Sequence, residues 1–248
     1  MHIEDLKIDH HGRAVDATFY KPKEANHFPV VIFSHGYNGY KTDFEGSARR
    51  LATAGIGALC FAFCGGSTRD VSGFDTSQMT LFTEKEDLIA VIDKLKTYDS
   101  VDKDNIYLFG ASQGGLVSAL VAEEKSQDIK GLILLFPAFC IADDWTKRYE
   151  NIKDIPESVE FWGMTLGHDF IDTIHGFDIR EHIGGFSKRV LILHGTLDGI
   201  VTIDYVKMAA EQYEKAELII FENEGHGFSE GGNKKVEALT LEFVQDKT

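Results

Sequence analysis

The chain has 248 residues, 43% apolar and 26% charged, the proportions of a soluble globular protein. Its net charge of −15 repels phosphate backbones and anionic bilayers on average, so neither nucleic acid nor a membrane is expected as a partner. No apolar run approaches the length of a membrane span, and the opening MHIEDLKIDHH lacks the apolar core of a signal peptide, so the expected location is cytoplasmic. Cys60 and Cys140 lie in apolar stretches and read as buried thiols. Cys60 and Cys64 have no second Cys or His pair to join them, so no metal is expected.

Taken in chain order, LKIDHHGRAVDATFYKP predicts two strands around the turn His11-Gly12-Arg13. The runs FPVVIFSH, GIGALCFAF, NIYLFGA, KGLILLF, KRVLILH and AELIIF follow. They are short and rich in β-branched and aromatic residues, as strands buried on both faces are. Helix-period stretches separate them, over 44–54, 81–97, 116–125, 205–213 and 234–244. In the second, Leu88, Val91, Ile92 and Leu95 share one face. Buried strands alternating with helices predict an α/β fold with a mostly parallel sheet covered on both faces.

One segment breaks this rhythm. Roughly fifty residues separate KGLILLF from KRVLILH, far more than a crossover needs. They read as a cap over 141–187, inserted between core segments 1–140 and 188–248, at the strand ends where open α/β sheets meet ligands. Within the cap, WGMTLGHDFIDTIHGFD predicts a hairpin turning near Gly167-His168. Most of the cap aromatics are expected to pack it onto the body. Trp145, Trp162, Met164 and Phe170 are the candidates for a substrate slot.

The chemistry gathers around GASQGG, residues 110–115. A strand enters it and a helix leaves it, the context of a nucleophile elbow, in which small residues at Gly110 and Gly114 permit close backbone approach. A serine needs a base within hydrogen-bond reach. Asp198 follows the strand KRVLILH and His226 follows AELIIF, so the chain order is Ser112, Asp198, His226. Asp204 is a weaker candidate for the acid, because TIDYVKMAAEQY places it in the first turn of a helix. The N–H of Tyr37, in the turn after VVIF, and the N–H of Gln113 are the expected oxyanion donors. His35 is expected beside the substrate as well as within that turn.

In this order, SHGYNGY, FGASQGG, HGTLDGIV and EGHGF resemble the α/β-hydrolase superfamily across nearly the whole chain. The short length and the position of the cap are most similar to small bacterial serine esterases of the cinnamoyl and feruloyl type. The resemblance implies a mostly parallel eight-stranded sheet, helices on both faces, and a small cap shaping the pocket for an aromatic acyl group. It implies a small-molecule ester substrate and no cofactor. Two positions depart from that family: FCGGSTRD replaces an NGHG-like turn, and Ala111 stands where histidine is common. A peptidase or aminoacyl hydrolase, an acyl-thioesterase and a ligand receptor on the same scaffold remain open readings, and so does a homodimer.

Overall fold

The computed structural model describes residues 1–23 and 26–246. Strands β1 (His2–His10) and β2 (Arg13–Lys21) form an antiparallel hairpin in which His10 faces Arg13. Its two turn residues, His11 and Gly12, both take left-handed backbone, at φ 45° and 77°, which matches the right-handed twist of the strands. Then follow β3 (Phe28–Ser34), α1 (Glu45–Thr53), β4 (Gly57–Ala62), α2 (Leu81–Leu95), β5 (Val101–Ala111), α3 (Gln113–Glu124) and β6 (Gly131–Leu135). The long insertion contributes α4 (Ile141–Arg148), β7 (Ser158–Phe161), β8 (Met164–Gly167) and α5 (His168–Asp172). The chain closes with β9 (Arg189–Gly195), α6 (Ile203–Gln212), β10 (Ala216–Phe221) and α7 (Glu230–Gln245).

The main sheet has eight strands in the order β1-β2-β4-β3-β5-β6-β9-β10. Among the described strands β2 alone runs against the rest; β1, antiparallel to β2, points the same way as β4 to β10. Side chains alternate across the central strands, so each feeds two cores. Ile32, Leu59, Leu108, Leu132 and Ile192 pack with residues of α2, α3 and α6. Val31, Phe33, Phe109, Ile133 and Leu193 pack with residues of α1 and α7 on the other face. Parallel order from β4 to β10 brings the turns after β3, β5, β9 and β10 to one edge of the sheet. Those turns carry Tyr37, Ser112, Asp198 and His226.

Two helices begin earlier than their apolar periodicity predicts. Helix α3 starts at Gln113 and α7 at Glu230. In each, paired glycines (114–115 and 231–232) occupy the first turn and erase the apolar signal, while Ser229 caps α7 by accepting the Gly232 N–H.

The hairpin of the insertion is present, but its turn is not near Gly167-His168. It lies at Trp162-Gly163, with Phe161 opposite Met164 and both turn residues left-handed at φ 43° and 81°. Gly167 is needed for another reason: a Cβ there would overlap the Ser77 carbonyl oxygen, where β8 crosses the single helical turn at 76–78. His168 opens α5 instead of a strand. The insertion is tied to the body by Thr76 Oγ1, which donates to the Thr165 carbonyl at 2.8 Å, and by the Tyr37 hydroxyl, which donates to the Phe161 carbonyl at 2.6 Å.

Glycines of two kinds give contrasting expectations. A Cβ at Gly110 would overlap the Gly114 carbonyl, whereas one at Gly46 in α1 meets nothing. Gly110→Ala should lower stability by about 1–3 kcal/mol, and Gly46→Ala should raise it by about 0.5–1 kcal/mol, both read from denaturant midpoints. Tyr37→Phe leaves the Phe161 carbonyl without its donor, at a cost of about 1 kcal/mol. Amide exchange should accelerate over 158–167 and stay unchanged in β5 and β6.

Candidate active site

Ser112 sits between β5 and α3 with φ 52° and ψ −121°, a conformation rare for any residue with a Cβ. Its amide donates to the Leu135 carbonyl at 2.9 Å, and its carbonyl accepts from Gly115, Leu116 and Ala138 at 2.9, 3.2 and 2.9 Å. These bonds pin the turn to the end of β6 and to the start of α3. The neighbours of Ser112 must then be small. A Cβ on Gly114 would overlap the His35 carbonyl oxygen, and one on Gly115 would come within 3.0 Å of Pro137.

The hydroxyl so presented meets His226, with 2.9 Å between Ser112 Oγ and Nε2. On the far side of the ring, Nδ1 lies 2.8 Å from Asp198 Oδ2. A carboxylate only accepts, so Nδ1 carries the proton and Nε2 is left to accept from the serine. The other Asp198 oxygen accepts the amides of Ile200 and Val201, each at 2.9 Å. Burial works to raise the pKa of Asp198, but the bonds from His226, Val201 and Ile200 outweigh it and hold the group below its ordinary value. Asp204 lies in the first turn of α6. The His226 ring packs against Phe136, with 4.6 Å between centroids. The sequence pattern did not single out His194, which is fully buried behind Asp198 with its Nε2 at 3.9 Å and donates to the Val201 carbonyl at 3.1 Å. Desolvation pushes its pKa down, so it supports the loop as a neutral ring.

Across from this chain lies the turn after β3. A Cβ on Gly36 would stand 3.1 Å from Ser112 Cβ, so the glycine allows the turn to lie against the serine. The Gly36 carbonyl accepts from the Gly39 amide at 2.9 Å and from His35 Nδ1 at 2.8 Å. Fixing that carbonyl also fixes the Tyr37 N–H on the opposite side of the same planar peptide. The second N–H, of Gln113, is the first of α3 and has no acceptor within its own helix.

His35 does not border the substrate space. It is 1% exposed, and its Nε2 accepts the Phe63 amide at 3.1 Å. With both nitrogens engaged and burial lowering its pKa, it is a neutral structural brace between the ends of β3 and β4.

A pocket of about 110 Å³ opens beside Ser112, Gln113 and Tyr37. Trp145, Phe161, Trp162 and Phe170 line it, together with Cys140, Ile141 and Ile200. Three of the four cap residues expected there are present. Met164 is the exception: it is 1% exposed and packs into the main core. Phe161 and Ile200 were missed. Phe161 lies at the strand end next to Trp162, a signal that depends on placing the turn correctly. Arg148 and Asp144 are the charged residues of the pocket wall, and the Arg148 guanidinium lies 5.1 Å from the Trp145 ring and 5.7 Å from that of Phe161. A larger cleft of about 420 Å³ between α1 and α7 contains none of the Ser112 constellation.

Among the described residues no group of three or more His, Cys, Asp or Glu is placed to hold a metal ion, and no helix is long and apolar enough to cross a membrane. The arrangement suits acyl transfer: a hydroxyl, an imidazole oriented by a carboxylate, and an apolar pocket at their side.

Known proteins share this architecture. The AB hydrolase superfamily protein YisY of Bacillus subtilis (strain 168) is 27% identical over 265 residues, covering 89% of this chain and 93% of that protein. Est1E from Butyrivibrio proteoclasticus, solved with ferulic acid bound, superposes with a TM-score of 0.86 at 25% identity, covering 97% of this chain and all of that one. The esterase EaEST from Exiguobacterium antarcticum superposes at 0.74 with 18% identity, covering 98% of this chain and all of that one, a likeness of fold alone. The chain is thus an α/β hydrolase resembling feruloyl esterases. The model of the prolyl oligopeptidase family, Peptidase_S9, matches residues 81–248, which span α2 to the end of the chain and include Ser112, Asp198 and His226; the protein belongs to that family.

Proposed function

We propose that this protein is a serine carboxylic-ester hydrolase that works through an acyl-enzyme, with aryl or cinnamoyl-type esters as the substrate class. The observation that carries this reading is His226 standing between Ser112 Oγ at 2.9 Å and Asp198 Oδ2 at 2.8 Å, with Ser112 lining an aromatic pocket. Ser112 attacks the ester carbonyl while its proton passes to His226 Nε2. The Tyr37 and Gln113 amides receive the negative charge that develops on the carbonyl oxygen. Collapse of the tetrahedral intermediate expels the alcohol, which takes the proton from His226. Water then gives a proton to His226, attacks the acyl carbon, and releases the acid and Ser112. Asp198, held ionised by its three donors, stabilises the imidazolium formed in each half.

The pocket supports the acyl preference. Trp145, Phe161, Trp162 and Phe170 offer ring faces and edges to a flat acyl group, and Est1E, similar across 97% of this chain, was solved with ferulic acid bound. A second reading, hydrolysis of an aminoacyl or peptide bond, is favoured by the match to the prolyl oligopeptidase family and uses the same residues.

Ser112→Ala should lower p-nitrophenyl butyrate hydrolysis by at least ~10³-fold, and Asp198→Asn should lower it by ~10⁴-fold. Survival of Ser112→Ala within tenfold of the parent would sink the mechanism, as would failure of a fluorophosphonate to label Ser112 in the folded protein. Turnover of methyl ferulate should exceed that of methyl acetate and of proline or alanine p-nitroanilides. Faster acetate turnover would leave a general esterase, and faster anilide turnover would favour the peptidase reading.

A further inference from the structure

One buried acid close to Ser112 has no part in the proposed reaction. Glu84 stands in the first turn of α2, is 1% exposed, and accepts a hydrogen bond from Gln113 Nε2 at 2.9 Å. No cation pairs with it among the described residues. The nearby Arg13 instead binds Asp87 at 3.1 Å and Glu86 at 2.9 Å. The other carboxyl oxygen of Glu84 faces the turn at 63–66, where a Cβ on Gly66 would come within 3.0 Å of it. In that turn the Gly66 amide donates to the Phe63 carbonyl, and the Phe63 amide donates to His35 Nε2. His35 in turn holds the Gly36 carbonyl, on the peptide that carries the Tyr37 N–H.

The supports of both amides that face the ester carbonyl therefore meet at one side chain. Gln113 is held through its side-chain amide, and the 63–66 turn that braces His35 lies against the other Glu84 oxygen. We infer that Glu84 is a positioning residue of the oxyanion hole, keeping the Gln113 and Tyr37 amides convergent on the oxygen that becomes negative. This rests on the proposed serine mechanism. It assigns Glu84 no contact with substrate.

The protonation state of Glu84 then matters. Burial pushes its pKa up to about 8; the Gln113 bond opposes that and the Asp87 charge adds to it. At neutral pH the group is an uncharged acid. Ionised, it would set a negative charge in a low-dielectric interior behind the forming oxyanion and oppose it.

The other groups facing this region titrate elsewhere or are already paired. On α2, Asp87 is raised to about 6 by burial, against the Cys64 amide and Arg13 of β2. After β4, the Cys64 thiol is pushed up to about 12 by burial, and Asp70 accepts the Gly65 amide. After β3, His35 is kept neutral by burial, and the Tyr37 phenol is raised well above its usual range, again chiefly by burial. On the pocket side stand His226 and Asp198.

The test is the pH profile of kcat and KM for p-nitrophenyl butyrate, corrected for spontaneous hydrolysis, with Glu84→Gln and Glu84→Ala beside the parent. The parental kcat should decline as pH passes about 8. Glu84→Gln, isosteric with the neutral acid, should keep kcat within about threefold at pH 7 and lose that decline. Glu84→Ala should lower kcat about tenfold or more with KM held within about threefold, because an amide that has lost its aim affects the transition state and not ground-state binding. An alkaline decline in Glu84→Gln superimposable on the parent's would overturn the inference, and so would an unchanged kcat in folded Glu84→Ala. Should Glu84→Ala not fold, the Glu84→Gln profile decides alone. The Ser112→Ala control separates the two readings. An active Ser112→Ala overturns the serine mechanism itself, whereas an inactive one beside an unaltered Glu84→Gln profile overturns only the role of Glu84.

Discussion

The site depends on a strained backbone at one residue. Ser112 holds φ 52° in an L-residue, a conformation that costs on the order of 1–3 kcal/mol and persists only where the surroundings over-determine it. Here they do. Its amide and carbonyl are taken by Leu135, Gly115, Leu116 and Ala138, so the turn is stitched to β6 on one side and to α3 on the other. Gly110, Gly114 and Gly115 have no side chains because the backbones of the elbow, of residues 34–35 and of Pro137 already fill the space. The large buried sheet beneath supplies the stability that keeps this turn bent, and the bent turn presents the hydroxyl to His226.

Electrostatics divides the acids around that hydroxyl. The Asp198 side chain is screened from solvent, and two amides and an imidazole N–H surround it and keep it ionised. Glu84 lies deeper, with the neutral Gln113 side-chain amide as its donor among the described residues, and burial pushes its pKa up to about 8. The difference lies in the depth of burial and in the number of donors. It sorts chemically similar side chains into an anion facing the base and an uncharged acid near the amides of the elbow. Asp87 is an intermediate case, pinned by Arg13 and the Cys64 amide.

The insertion and the body meet at Tyr37. It lines the pocket with Ser112, its ring packs edge-on against Phe161 and Trp162, and its hydroxyl holds the Phe161 carbonyl. The residue proposed to supply an N–H to the site is thus part of the pocket wall. A change in the hairpin will therefore also press on that turn, so the pocket wall and the proposed oxyanion donor share one residue.

Much of this was legible in the sequence. Buried strands announce themselves through consecutive β-branched and aromatic residues, and the covering helices through apolar spacing. Those local signals, with the order of Ser112, Asp198 and His226 after successive strands, were enough to place three distant residues on one sheet edge. Glycines were ambiguous, since a missing side chain serves a turn and a close approach equally. Gly167 reads as a turn residue but makes room for Ser77, and the turn belongs to Trp162-Gly163. His35 and Met164 point into packed protein, Phe161 faces the pocket, and Glu84 reaches Gln113 from 29 residues away along the chain. The sequence by itself determined the architecture and the chemical groups, because strand and helix formation depend on neighbours a few positions apart. Which side chains face the substrate and which brace the site was decided only by the tertiary structure, because contacts between distant segments set the direction of each side chain and the charge it can carry.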